Sequence, residues 1–134
     1  MVIRASKIQM ERRSTINFIK EDATKLSFPS NVYDGVIFGF NGLMQIPHRE
    51  NRKKAMNECF RVLQPGGRFV FTSHDRGIPK WKKFWVNERK KWRIGLQDKA
   101  LIEFGDRYGE TPTGRLFIHV PDRSDIQKDL RDTG

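Results

Sequence analysis

The sequence has little cysteine and no long hydrophobic run. Cys59 is the only cysteine among 134 residues, which excludes an intramolecular disulfide and favours a reducing compartment. The longest nearly apolar stretch, Gly35–Met44, is about half as long as the ~20 residues that a helix needs to cross a bilayer. The first residues carry charges and no signal-type apolar stretch. We therefore expect a cytoplasmic protein without a membrane partner.

Acidic residues are scarce relative to basic ones. The chain has 16 Asp and Glu against 26 Lys and Arg, and its formal net charge is +10. Such a field attracts nucleic acid, acidic lipid or anionic substrates, although a solvated basic surface explains the same balance. Aromatic residues are not scarce, since there are 10 Phe, 3 Trp and 2 Tyr, so we expect a packed core rather than a disordered chain.

The middle of the chain has the pattern of a strand, a helix and a second strand. Val36–Phe40 is a continuous apolar run, Glu50–Leu63 places its apolar residues on one helical face, and Arg68–Ser73 follows a Pro-Gly-Gly turn. Two parallel strands joined by a helix form a βαβ unit. The sequence therefore predicts an α/β fold with a mainly parallel sheet.

Weaker patterns predict the elements before and after this unit. They are a helix over Val2–Arg13, a strand over Ile16–Lys20, a helix over Pro79–Arg93, a glycine-rich turn region over Gly105–Gly114, a strand over Leu116–Val120, and a helix through Leu130 that starts at a capping box, Ser124-x-x-Gln127. Four side chains are expected on one side of the Pro79–Arg93 helix: Trp81, Trp85, Glu88 and Trp92.

Two segments carry a resemblance to a known family. They are I-N-F-I-K-E-D-A-T-K-L-S-F-P-S-N-V-Y-D-G-V-I-F, from Ile16 to Phe38, and E-C-F-R-V-L-Q-P-G-G-R-F-V-F, from Glu58 to Phe71. Their order and spacing resemble the class I S-adenosylmethionine-dependent methyltransferases, in which R-V-L-x-P-G-G leads into the fifth strand. The resemblance covers about residues 1 to 75. It implies a Rossmann-like, doubly wound sheet, S-adenosylmethionine as the cofactor, and methyl transfer as the activity.

The chain departs from the family pattern where the cofactor would be held. No G-x-G-x-G motif occurs, and the strand whose terminal acidic residue would bind the ribose is absent. The resemblance therefore implies an incomplete fold that also lacks the C-terminal hairpin. In it, residues 1–75 form a partial methyltransferase core, and residues 76–134 form the lid and substrate region of the same domain.

The missing strands lead to an expectation about the sheet. Ile16–Lys20 is expected to pair directly with Val36–Phe40, which would give a three-stranded parallel sheet with Arg68–Ser73 at its other side. An apolar strand at the edge of such a sheet recruits another strand. We therefore also expect self-association through an exposed sheet edge.

The resemblance assigns four residues to the cofactor. The carboxylate of Asp22 would accept a hydrogen bond from the adenine amino group, and the backbone N–H of Ala23 would donate one to an adenine ring nitrogen. The alternative for Asp22 is that it caps a turn beside Thr24. Asn41 and Gly42 follow the next strand and would face the cofactor, but turn chemistry is an equal explanation of this pair.

His74 and Asp75 are the catalytic candidates because they directly follow the last strand of the βαβ unit. Methyl transfer from a sulfonium depends mainly on alignment and desolvation, and a general base is needed only for some acceptors. The two residues would supply that base or position the acceptor, and the alternative for His74 is an ordinary hydrogen-bonding role at a strand end. No metal site is predicted, because His48 and His119 lack partners at ligand spacing.

A small-molecule acceptor is favoured over nucleic acid. The Asn/Asp-Pro-Pro-Tyr signature of nucleic-acid amino methyltransferases is absent, and the corresponding stretch is F-G-F-N-G-L-M. The rival hypothesis is an RNA-binding module, or a nucleic-acid methyltransferase, that uses Lys80–Arg93, where aromatic residues alternate with Lys and Arg as in single-strand binding. The other explanation of this helix is a substrate lid that packs its tryptophans inward.

Overall fold

The structure, a computed structural model, describes residues 2–12, 15–112 and 114–133. Its helices are α1 (Val2–Arg12), α2 (Arg49–Val62), α3 (Lys82–Arg93) and α4 (Arg123–Thr133). Its strands are β1 (Tyr33–Phe38), β2 (Leu63–Phe71), β3 (Asp106–Thr111) and β4 (Gly114–His119). Two short 3₁₀ turns, Gly42–Gln45 and Pro79–Trp81, follow β1 and precede α3. The predicted α/β class is confirmed.

β1 and β2 are parallel neighbours connected by α2, as the sequence predicts. Phe38 lies opposite Phe71 in the register of the two strands. Alternate residues point to opposite faces of a sheet, and the face that carries these two rings is turned toward the core. The buried core cluster consists of Leu43, Met44, Ala55 and Met56, with Ala23, Phe38, Ile46, Phe69, Phe71 and Ile118 packed against it.

The Pro-Gly-Gly turn belongs to β2 rather than preceding it. Gly66 has a φ of +83°, and a Cβ on Gly67 would lie 2.9 Å from the carbonyl oxygen of Gln64. Both positions therefore require glycine. After this turn the register continues with Gly35 opposite Arg68. β2 thus begins earlier than the predicted strand, which started at Arg68.

The predicted strand Ile16–Lys20 is wrong. Residues 15–20 have no regular secondary structure, and within the described part of the chain β1 pairs with β2 alone. Ile16 is 59% exposed and Ile19 is 57% exposed, so the alternating pattern does not bury one face here. A strand depends on a paired neighbour and a covered face more than on its own residues. The expected three-stranded order is therefore also wrong.

β3 and β4 form an antiparallel hairpin, so the turn region predicted over Gly105–Gly114 is wrong. The sequence D-R-Y-G-E-T has no apolar alternation, and it becomes a strand because β4 pairs with it along its whole length. The predicted strand Leu116–Val120 overlaps β4, whose Ile118 packs on the core. The hairpin contacts the Gly42–Gln45 turn and so lies against the end of β1.

The helix that ends the described chain has a different cap from the predicted one. Oδ1 of Asp122 accepts hydrogen bonds from the backbone N–H of Ser124, at 3.2 Å, and from its hydroxyl, at 3.1 Å. The backbone N–H of Asp122 donates to Oδ2 of Asp125, at 3.3 Å. The capping box is therefore Asp122-x-x-Asp125 instead of Ser124-x-x-Gln127. The hydrogen bonds from Ser124 hold the pKa of Asp122 below its ordinary value.

The remaining predicted helices are confirmed with small changes at their ends. The first was predicted over Val2–Arg13, and its last residue lies outside the described residues. The Pro79–Arg93 helix starts with a 3₁₀ turn before α3 becomes regular at Lys82. Within the part of the chain that the structure describes, no helix has the length and apolar content needed to cross a bilayer.

Candidate active site

The carboxyl ends of β1 and β2 bring Asn41 and His74 together. Nδ2 of Asn41 lies 3.3 Å from Nε2 of His74. An amide nitrogen only donates, so Nε2 is the acceptor and the neutral ring carries its proton on Nδ1. Ligands of open α/β sheets bind outside the carboxyl ends of the strands. These two predicted site residues therefore meet at the edge where a ligand is expected.

The backbone after β1 is strained at Phe40 and Asn41. Phe40 and Asn41 both have a φ of 56°, in the left-handed region. Asparagine tolerates this region, whereas phenylalanine does so at a cost on the order of 1–2 kcal/mol. The ring of Phe40 is 97% exposed and gains no packing in return. The N–H of Asn41 donates to Oγ1 of Thr72, at 2.8 Å, so the turn is fixed against the chain that follows β2.

Gly42 has a packing reason to be glycine. A Cβ at this position would lie 2.9 Å from Cε1 of Phe38, whose ring packs against the core. Its N–H donates to the carbonyl of Gly39, at 3.0 Å, and closes the turn. The predicted contact of Gly42 with the cofactor stays a prediction.

Asp22 forms the turn beside Thr24 that is the alternative to cofactor binding. Its Oδ1 accepts hydrogen bonds from the backbone N–H of Thr24, at 2.9 Å, and from the Thr24 hydroxyl, at 2.8 Å. These bonds hold the pKa of Asp22 below its ordinary value. Ala23 packs against the core cluster. The adenine contacts of both residues stay predictions.

Asp75 is tied into its own loop and to α4. Its Oδ1 accepts a hydrogen bond from the N–H of Gly77, at 2.7 Å, and its Oδ2 accepts one from Arg123, at 3.1 Å. The side chain of Asp75 is 24% exposed. His74 and Asp75 therefore hydrogen-bond to different partners, and Asp75 stabilises the loop that carries His74.

A cavity of about 370 Å³ opens beside His74 and Asp75. Its walls come from the loop after β2, the segment that leads into α3, the first turn of α3, and the β3–β4 hairpin. Its other lining residues are Ile78, Trp81, Phe84, Trp85, Arg107, Ile118 and Val120. A mostly apolar and aromatic cavity of this size with a few polar groups is typical of small-molecule sites.

Most of the aromatic residues of α3 face inward. Trp85 and Trp92 pack edge-on against Phe104, with ring centroids 5.8 Å and 6.0 Å apart. Glu88 lies on the same face and is buried. The predicted common face is confirmed for these three residues of α3, while Trp81, in the turn before it, is 49% exposed. This packing supports the lid hypothesis, because inward-facing rings present little surface on which bases can stack.

Arg76 joins the loop after β2 to the hairpin and to α4. Its guanidinium donates to the carbonyls of Phe104, at 3.0 Å, and Val120, at 2.7 Å, and to the carboxylate of Asp125, at 2.8 Å. Its side chain is 8% exposed. Sequence analysis missed this positioning residue, because its two carbonyl partners are 28 and 44 residues away along the chain.

A buried network lies behind the hairpin, between α2 and β3–β4. Arg52 is 3% exposed and pairs with Glu103 at 2.6 Å. Nδ1 of His119 lies 2.8 Å from Oδ1 of Asp106, because the hairpin register places these residues opposite each other. His119, for which the sequence shows no partner at ligand spacing, thus has a carboxylate partner in the fold. The pair has no signal along the chain, since it depends on the unpredicted strand β3.

The acidic groups of this network already accept hydrogen bonds. Oδ2 of Asp106 accepts from the N–H of Ile102, at 3.1 Å, and from that of Glu103, at 2.8 Å. Burial alone would raise the pKa of Asp106, but the hydrogen bonds from His119 and the two backbone groups keep it below its ordinary value. Ligand atoms of Glu103, Asp106 and His119 lie within 4.8 Å of one another, yet their protein partners account for the arrangement without a metal.

Comparison with known proteins places the chain in a family. Residues 1–71, about half of the chain, match a family described as "Methyltransferase domain". The chain belongs to this methyltransferase family. The resemblance to class I S-adenosylmethionine-dependent methyltransferases is thereby confirmed, and S-adenosylmethionine is the cofactor of the family.

Two relatives align with nearly the whole of this chain. A demethylmenaquinone methyltransferase of Paenarthrobacter aurescens is 35% identical over 96% of this chain and 48% of its own length. One of Renibacterium salmoninarum is 42% identical over 96% of this chain and 52% of its own length. The chain thus spans about half the length of these relatives.

Solved structures agree on the fold. A structure described as SAM-dependent methyltransferases of Methanosarcina mazei aligns over 98% of this chain and 63% of its own, with a TM-score of 0.72 and 17% identity. A protein of Pyrococcus horikoshii OT3 aligns over 97% of this chain and 56% of its own, with a TM-score of 0.69 and 21% identity. The arrangement of β1, α2 and β2 is therefore that of the Rossmann-like methyltransferase fold.

Proposed function

We propose that this protein transfers a methyl group from S-adenosylmethionine to a small hydroxylated aromatic acceptor in the cytoplasm. The observation that carries the proposal is the aromatic cavity beside His74, at the strand edge where Asn41 and His74 meet. The relatives support the acceptor class, since they are named for demethylmenaquinone and for ubiquinone and menaquinone biosynthesis. The single, buried Cys59 is consistent with a reducing compartment.

The cavity residues have separate tasks in this proposal. The rings of Trp81, Phe84 and Trp85 stack on the acceptor and exclude water from it. Nε2 of His74 has a lone pair that is shared with Asn41, and it can instead accept the proton of an acceptor hydroxyl. His74 would hold the proton that the acceptor hydroxyl loses as the acceptor is methylated. Bound S-adenosylmethionine would supply the electrophilic methyl group, and its S–methyl bond would break to leave the neutral thioether S-adenosylhomocysteine.

The residues present fit only part of the cofactor. Asp22 and Ala23 would hold the adenine, and Asn41 and Gly42 would lie beside the methionine portion, but the chain has no G-x-G-x-G motif. Two or three missing hydrogen bonds of about 1.5–3 kcal/mol each weaken a micromolar dissociation constant to millimolar or beyond. Calorimetry on the 134-residue chain should therefore detect weak binding or none, and a micromolar constant would contradict this expectation.

Acceptor binding tests the proposal directly, because the structure describes every residue that lines the cavity. Titration with 1,4-dihydroxynaphthalene should quench the tryptophan fluorescence in a saturable manner, since Trp81 and Trp85 line the cavity. The variant Trp85→Phe should lose much of the quenching, while Trp92→Phe, outside the cavity, should keep it. His74→Ala should weaken binding by about tenfold, the size of one lost hydrogen bond of about 1.4 kcal/mol. Absence of saturable quenching would overturn the aromatic acceptor.

Methyl transfer is then measured with tritiated S-adenosylmethionine at millimolar concentration and the same naphthalenediol. Because the 134-residue chain is expected to bind the cofactor weakly and to have little activity outside a larger enzyme, tritium should appear in the organic product slowly even at this concentration. Any such transfer should fall strongly with His74→Ala. Label transfer that is unchanged in His74→Ala would remove His74 from the reaction and leave it with the hydrogen-bonding role.

A further inference from the structure

The outward face of α3 is cationic and has no acidic residue. Rotation by 100° per residue places Lys82, Lys83, Lys90 and Arg93 on the side of α3 opposite the inward rings, around Val86. Within the described part of the chain, none of these four cations has a carboxylate partner. The one acid of the helix is buried on the other face. Four uncompensated charges therefore share one exposed strip.

Exposed apolar side chains lie on this strip and in the segments directly before and after the helix. Ile78 is 43% exposed and Trp81 is 49% exposed before α3, while Ile94 is 68% exposed and Leu96 is 69% exposed after it. Val86 in the middle is 47% exposed. These five apolar residues and the four cations are called the α3 surface here. A cluster of unpaired Lys and Arg on one helix face is the pattern of segments that bind anionic lipid headgroups, and exposed apolar side chains beside it add burial at the lipid boundary.

The geometry distinguishes a lipid surface from single-stranded RNA. RNA binding without sequence preference needs aromatic rings that are open to stacking with bases. Trp85 and Trp92 are packed against Phe104 instead. Four of the five exposed apolar members of the α3 surface are aliphatic, and Trp81 is the only aromatic one among them. Aliphatic side chains gain from burial among acyl chains, and the cations gain from anionic headgroups.

We propose that the α3 surface binds peripherally to membranes that contain anionic lipid. The lysines and the arginine contact the headgroups, and the five apolar side chains enter the boundary between headgroups and acyl chains. This inference changes the sequence expectation of no membrane partner, and it needs no membrane-spanning segment. Ile78 and Trp81 also line the acceptor cavity, whereas the four cations, Val86, Ile94 and Leu96 lie outside its lining. The lipid contacts of these seven residues do not depend on the methyl-transfer proposal.

Vesicle sedimentation tests the proposal. The 134-residue chain should sediment with vesicles of phosphatidylcholine and phosphatidylglycerol mixed seven to three, and much less with phosphatidylcholine alone. Binding should weaken in 0.5 M salt, because screening acts on the headgroup contacts. The triple variant Lys82→Gln, Lys83→Gln, Lys90→Gln should lower the partition coefficient by roughly 100-fold, as expected for three charges at a lipid surface.

A matched variant separates the α3 surface from the general positive charge of the protein. Lys20→Gln, Lys25→Gln, Lys54→Gln also removes three exposed lysines from the net charge of +10, and it should change the partition coefficient by less than a few-fold. Ile94→Ser with Leu96→Ser should remove the binding that persists in salt. Circular dichroism on each variant confirms that the helices are retained.

Three results would overturn the proposal. The first is equal binding to neutral and anionic vesicles, and the second is an equal loss of binding in the two triple lysine variants. The third is saturable binding to a single-stranded oligouridine that the α3 triple variant abolishes while vesicle binding stays unchanged. That third result would assign the α3 surface to RNA.

Discussion

Replacing Arg76 by methionine tests whether one buried side chain holds the loop after β2 against the hairpin. The change removes three hydrogen bonds from a charged donor, each worth about 1.5–2 kcal/mol. It also removes Nε of Arg76, a buried donor with no hydrogen-bond partner among the described residues, whose burial destabilises the folded state by about 1–2 kcal/mol. Subtracting this relieved cost from the energy of the lost hydrogen bonds leaves a decrease of about 3 kcal/mol in the free energy of unfolding.

Thermal unfolding followed by tryptophan fluorescence measures this loss. For a chain of this length, about 3 kcal/mol corresponds to a fall in Tm of roughly 10 °C. Arg123→Met is the control, because that guanidinium is 79% exposed and its contact with Asp75 is worth about 0–1 kcal/mol. If Arg76→Met and Arg123→Met lower the Tm equally, the proposed role of Arg76 is refuted.

Three further predictions concern other parts of the molecule. The folded state holds the pKa of Asp106 below its ordinary value of 3.8, so the hydrogen bonds to its carboxylate stabilise the fold above that pH. This stabilisation is lost as the pH falls through the lowered pKa. Between pH 6 and pH 3 the urea midpoint should therefore fall more for the unmodified chain than for Asp106→Asn. Burial raises the pKa of Cys59 to about 11, so Ellman's reagent at pH 8 should label it only after urea unfolds the chain; rapid labelling of the folded protein would contradict its burial. Self-association through the sheet edge is still a prediction, and Ile37 of the edge strand β1 is 80% exposed beside Val70; Ile37→Lys should lower the mass that light scattering gives for the unmodified chain, and an unchanged mass would exclude β1 as the contact.

The sequence predicts the elements whose stability is local or whose pattern is strongly periodic. The helix predicted over Glu50–Leu63 is found as Arg49–Val62, because its apolar face and the proline after it mark both the helix and its end. Ile16–Lys20 shows the limit of such patterns, since alternation describes a preference and the strand also needs an adjacent edge. β3 shows the opposite case, because D-R-Y-G-E-T has no apolar pattern and gains its pairing from β4.

The residues of the candidate site also include some that the sequence predicts and some that it does not. Asn41 is predicted from the family resemblance and His74 from its place directly after a strand. The structure brings their side chains within 3.3 Å, because the parallel strands β1 and β2 end at the same edge of the sheet. Arg76 and the pair of Asp106 with His119 are not predicted, because their partners lie on elements brought close only by the tertiary fold. Buried charges carry no periodic signal along the chain.

The contacts of Arg76 have a consequence for how a molecule enters the acceptor cavity. One wall of the cavity is the loop that carries His74, another is the hairpin end at Val120, and Arg76 fastens these two walls to each other. The remaining walls are Phe84 and Trp85 of α3, where Trp85 packs on Phe104, and the short Pro79–Trp81 turn with its half-exposed indole. We expect the acceptor to enter, and the product to leave, past Trp81, so that a rearrangement of one turn sets the rate of exchange rather than a separation of the two halves of the chain.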